Sequence, residues 1–175
     1  MNKLVTIERK RLDPNRLFGS IVAQSPALTL LHYEYDFQFD GFVVIRTKDV
    51  TLCKSSESNE YNARLMRREG LWETVPQWVK RLPVGGWHDL LADLVGKVVI
   101  VEDEPRDGFC IGRLLEANAK HAAVHYFDGC GRLQEVEIIP YNRITLLRFG
   151  DRYSSIHAKY IFPVTAAKRV SDSTE

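Results

Sequence analysis

The chain has 175 residues, with 24 Lys+Arg against 23 Asp+Glu, and it is 45% hydrophobic and 27% charged. That length allows one ordinary domain or two very small ones, with a globular composition that needs no metal or disulfide to hold it. The formal charge of +1 excludes indiscriminate adhesion to DNA or anionic membrane, which needs a large basic excess.

In chain order, short apolar and β-branched runs predict strands at 4–9, 19–24, 28–35, 42–46 and 50–54. Phe39-Asp40-Gly41 supplies turn chemistry between the third and fourth. A helix follows, with Ser58 as N-cap, Tyr61 and Leu65 on one face and Gly70 after its end. The segment 71–96 holds all three tryptophans, Trp72, Trp78 and Trp87, and predicts a short helix over 87–95 with Leu90, Leu91, Leu94 and Val95 on one side. Tryptophan is foreign to a flexible linker, so this connector is expected to pack between its neighbours. Strands are then predicted at 98–103, 111–117, 122–128, 136–139 and 144–148, with a tight hairpin at Asp128-Gly129-Cys130-Gly131 and Pro140 closing the fourth. A second helix, 151–160, places Ile156 and Tyr160 together.

The two strand sets match residue by residue. Lys3-Leu4-Val5-Thr6-Ile7-Glu8 recurs as Lys97-Val98-Val99-Ile100-Val101-Glu102, Gly19 as Gly112 and His32-Tyr33 as His125-Tyr126. Val44-Ile45 returns as Ile138-Ile139, and Val50-Thr51-Leu52 as Ile144-Thr145-Leu146. Such ordered self-similarity reads as a tandem duplication. The expected fold is mainly β with short helices: two five-stranded small barrels, each followed by a helix. The units run 1–70, 71–96 (connector) and 97–165, with a polar tail at 166–175.

The second set also resembles Sm-like and SH3-like barrels. Leu90 to Val98, a short helix running through Gly96-Lys97 into a strand, resembles the opening of an Sm-like fold. Gly112-Arg113-Leu114-Leu115-Glu116 sits at the bent second strand, and Ile138-Ile139-Pro140-Tyr141-Asn142-Arg143-Ile144 at the second motif. His125-Tyr126-Phe127-Asp128-Gly129 suits a Tudor-like barrel equally well. The Sm-like resemblance implies rings that bind single-stranded RNA through an Asp…Asn pair and an Arg-Gly pair. This chain carries Glu116, Asn118 and His121 at the first, and Pro140-Tyr141 or Arg46-Thr47 at the second. The resemblance therefore implies topology rather than activity.

Several residues are candidates for chemistry. The repeated pair His32-Tyr33 and His125-Tyr126 reads either as two equivalent ligand contacts or as mid-strand core residues. Arg9, Lys10 and Arg11, with Arg64, Arg67 and Arg68 on the helix and Tyr33 and Tyr35 nearby, could form a basic and aromatic surface for RNA. The same charges, interleaved with acids, also read as a solvated face. Trp72 and Trp78 serve either partner docking or inter-unit packing. Metal-ligand spacing, phosphate loops and nucleophile motifs are missing from the sequence, so no metal, cofactor or catalytic residue is assigned. The opening MNKLVTIERK lacks the apolar segment of a signal peptide, and no run approaches the length of a membrane span. Three cysteines, Cys53, Cys110 and Cys130, fit a reducing cytoplasm. The sequence thus points to a non-enzymatic binding or adaptor protein that recognises a protein partner or self-associates through barrel edges. The alternative is RNA or single-stranded nucleic-acid binding.

Overall fold

The computed structural model describes residues 3–162; the expected tail 166–175 lies outside the described residues. The first half contributes β1 (Leu4–Arg9), β2 (Asp13–Gln24), β3 (Leu28–Tyr35), β4 (Gln38–Arg46) and β5 (Leu52–Lys54), then helix α1 (Glu57–Arg68). Helices α2 (Gln77–Lys80) and α3 (Trp87–Ala92) occupy the connector. The second half adds β6 (Val98–Asp103), β7 (Gly108–Ala117), β8 (His121–Phe127), β9 (Leu133–Pro140), β10 (Leu146–Phe149) and helix α4 (Arg152–Ile161). The described chain is mainly β, as its apolar and β-branched runs require. Among the described residues no helix is long and apolar enough to cross a membrane.

The two halves repeat one register. Leu4 faces Ser20 as Val98 faces Arg113, and Gly19 faces Tyr33 as Gly112 faces Tyr126. The β2–β3 ladder slips between Ile21 and Ala23, and the β7–β8 ladder slips at the equivalent Leu114 and Glu116. The repeated glycines have a common cause. A Cβ on Gly19 would meet the His32 carbonyl oxygen at 2.3 Å, and one on Gly112 the His125 carbonyl oxygen at 2.2 Å. Neither position tolerates a side chain without moving the next strand.

The sequence predicts two closed barrels, but the sheet does not close. Its ten strands run in the open order β5-β1-β2-β3-β4-β10-β6-β7-β8-β9. The halves join where β10 pairs antiparallel with β4, from Leu146 opposite Ile45 to Phe149 opposite Phe42. One core crosses that joint: Leu28, Leu30 and Val44 from the first half pack with Val99, Leu114 and Val124 from the second, and with Val79, Leu90, Leu91 and Leu94 of the connector.

Local departures from expectation have local causes. The first-half hairpin turns at Asp36 and Phe37, with φ of 50° and 61°, where the Glu34 carboxylate accepts the Phe37 N–H at 2.8 Å. Phe39-Asp40-Gly41 therefore lies inside β4 rather than in the turn. Helix α1 is capped by Ser56, not Ser58: Ser56 accepts the Asn59 N–H, and Asn59 accepts the Ser56 N–H. Its inner face is Asn59, Ala63 and Met66, and Tyr61 is exposed. Asp151 caps α4, which buries Ser154 and leaves Ile156 and Tyr160 outside.

Candidate functional site

The predicted basic surface is divided by the fold. Arg9, at the end of β1, is 1% exposed and donates from both terminal nitrogens to the two Glu104 carboxylate oxygens, each at 2.7 Å. That guanidinium has no face left for a phosphate. Lys10 and Arg16 both reach the Glu8 carboxylate at 2.9 Å. Arg11, Arg64 and Arg68 are exposed, and so is Tyr35, on the β3–β4 hairpin. Arg67 lies 4.0 Å over the Trp72 ring, and Trp72 meets Phe39 edge-on. Trp78 is half-exposed under the Lys97 ammonium at 4.2 Å and beside Phe149.

The two histidines occupy equivalent strand positions in different surroundings. His32 is buried and stacked 3.9 Å from Phe39 and 4.8 Å from Phe42. Burial holds its imidazole down at about 4, and the nearest carboxylate, Glu73, lies 3.9 Å away, beyond hydrogen-bonding distance. His125 is half-buried, with Phe162 6.3 Å away. Tyr33 lies beneath the Arg148 guanidinium, whereas its equivalent Tyr126 lines an open cavity.

That cavity is the clearest feature of the second half. It holds about 230 Å³ between β6–β7 and the free strand β9, with Val101, Cys110, Tyr126 and Ile139 on its apolar side and Glu137 and the Asp103–Arg143 ion pair on its charged side. Burial and the Glu137 charge push the Cys110 thiol up to about 12, so it serves as an apolar wall and not as a nucleophile. Strand β9 is almost wholly exposed, with Leu133, Val136 and Ile138, on the face opposite Glu137 and Ile139, at 45%, 44% and 53%. An unpaired apolar strand of this kind presents its backbone donors and acceptors for pairing with another strand. In the first half the equivalent place is full. Leu146 of β10 packs there on Ile7, Leu17, Val43 and Ile45.

Sequence reasoning missed this edge. The available signal was the repeat itself, which sets Glu137 in β9 where the first half has Val43. A core position turned acidic marks a strand whose neighbour differs. Among the described residues no group of three or more His, Cys, Asp or Glu side chains could hold a metal ion. Comparison of the chain with family models, curated proteins and solved structures finds no match.

Proposed function

We propose that the chain is a non-enzymatic binding protein of the cytoplasm whose two halves are small barrel-like units, and that it takes up an extended protein segment along β9. The observation that carries this reading is the contrast between equivalent strands: β4 is covered by β10, while β9 lies bare beside a cavity with Val101, Cys110 and Ile139 on its apolar side and Glu137 on its charged side. Strand addition at such an edge draws affinity from main-chain hydrogen bonds and specificity from pockets for alternate side chains. Here the pocket asks for an aliphatic side chain, and Glu137 beside it asks for a cation. The barrel-like reading is supported by the slip repeated in β2 and β7, since a bulge bends its strand. The cytoplasmic placement is supported by three free thiols. RNA binding is the less supported reading, because Arg9 is buried on Glu104 and Lys10 is engaged by Glu8.

Selection of displayed random peptides against the immobilised full chain tests the proposal. The expected binders carry an aliphatic residue two positions before Lys or Arg, and Glu137→Lys weakens them by at least about tenfold. Recovery of no peptide, or of peptides indifferent to Glu137→Lys and Ile138→Asp, would overturn it.

A further inference from the structure

The joint inside the chain is a template for a joint between chains. The repeat carries β4 onto β9 and β10 onto β5, and β9 and β5 are the two outer strands of the sheet. In the internal joint Leu146 lies opposite Ile45, Leu147 opposite Val44 and Arg148 opposite Val43. We infer that a second copy of this chain occupies β9: β5 of one copy adds to β9 of the next, with Leu52 opposite Ile139, Cys53 opposite Ile138 and Lys54 opposite Glu137. This rests on the strand-addition reading of β9 and names its partner.

The side chains at the two edges complement each other. Leu52 takes the place of Leu146, and its seat is the cavity walled by Val101, Cys110 and Ile139, where the first half has Ile7, Leu17 and Ile45. Lys54 takes the place of Arg148, which lies 5.4 Å over the Tyr33 ring; its new neighbours are Tyr126 and the Glu137 carboxylate. The internal ion pair Arg9–Glu104 has no counterpart at this contact: Asp103 is buried and bonded to Arg143 at 2.7 Å, and Lys10 stays on Glu8. Two outer edges of unrelated purpose have no reason to match at both places. The added ladder is short. Glu135 stands where the internal joint has Gly41, whose Cβ would meet the Asp151 backbone at 2.4 Å, so pairing stops at the three residues of β5. Each copy keeps one unpaired edge of each kind, so the contact is heterologous and builds rings or open fibres rather than a two-fold dimer.

Cross-linking of the full chain tests the register. Residues directly opposite in an antiparallel pair have Cα atoms about 4.5–5.5 Å apart, inside disulfide range. In a Cys130→Ser background, Ile138→Cys oxidised with diamide is expected to give a ladder of multimers through Cys53. The ladder disappears with Cys53→Ser, and Gln134→Cys, four residues off register, gives none. By sedimentation, Glu137→Lys and Lys54→Glu each shift the chain to monomer, and the two together restore the assembly. A monomeric wild type, equal cross-linking from positions 134 and 138, or a double variant that stays monomeric would overturn the inference. Were peptides still selected at β9, the strand-addition reading would stand while the second copy as partner would fall; with no peptide selected, both fall.

Discussion

Arg9 and Glu104 stand 95 positions apart in the chain and meet as a two-bonded ion pair that ties the end of β1 to the turn after β6. The guanidinium is 1% exposed and the carboxylate 10%, so neither charge keeps its hydration. Removing one partner strands the other in a poorly solvated place, which costs about 3–5 kcal/mol. Glu104→Gln is therefore expected to lose stability on that scale in urea unfolding, with Asp13 at 3.8 Å compensating little. Arg9→Met strands the Glu104 carboxylate in the same way and is expected to cost a similar amount, whereas replacing both partners, Arg9→Met with Glu104→Leu, costs far less. A double variant as unstable as the two single losses added together would show that packing rather than charge holds this corner.

Gly41 governs the other side of the joint. Its φ is +70°, and a Cβ would lie 2.4 Å from the Asp151 nitrogen, where α4 starts. Gly70 has nearly the same φ, +71°, with nothing within 4 Å. Left-handed backbone alone costs alanine about 1–2 kcal/mol. Gly70→Ala is expected to lose that amount, and Gly41→Ala clearly more, with a shift in the amide spectra of Asp40 and Arg152, which are hydrogen-bonded at 2.7 Å. Equal losses at the two glycines would mean that α4 moves aside without penalty.

Strand positions were legible because each carries its own pattern: the runs at 4–9 and 98–103 are apolar and β-branched and coincide with β1 and β6. The pairing of β4 with β10 was not legible, since both strands read as buried whichever neighbour they have. Turn chemistry misled for a related reason. Asp36 and Phe37 adopt positive φ without glycine, held by the Glu34 carboxylate, while the glycine at 41 serves a distant helix start. At the candidate site, Arg9 reads as a surface cation from its neighbours Lys10 and Arg11, because its counter-charge is remote in sequence. The β9 edge was visible only by comparing halves, where Val43 is replaced by Glu137 and Arg9 by Asp103.

The tryptophan-bearing connector behaves as core. Val79, Leu90, Leu91 and Leu94 are wholly buried between Leu28 and Leu30 of one half and Val99 and Val124 of the other. Truncating a buried leucine costs about 2–5 kcal/mol, depending on how far its surroundings collapse. Leu90→Ala is expected to fall in that range and to lower the stability of both halves together. Hydrogen exchange of β3 and β8 should then accelerate by the same factor. Acceleration confined to one half would show two separately folding units with an inert bridge.

His32 makes stability depend on pH in a definite direction. Burial lowers its folded pKa to about 4, from an ordinary value of 6.5. Between those values the unfolded chain binds a proton that the folded chain refuses, so the contribution is intact above about pH 6.5 and is lost as the pH falls toward 4. The full loss is on the order of 3 kcal/mol, at 1.36 kcal/mol for each unit. His32→Phe keeps an aromatic ring between Phe39 and Phe42 and removes the titrating group. Other acid-sensitive groups, including Glu34, whose carboxyl burial raises, are common to both proteins and cancel in the difference. Denaturant unfolding at pH 7.0 and 4.5 should therefore show the wild type losing ground to His32→Phe on acidification. Parallel losses in the two proteins would mean that the stacked ring accepts its proton without leaving the folded state.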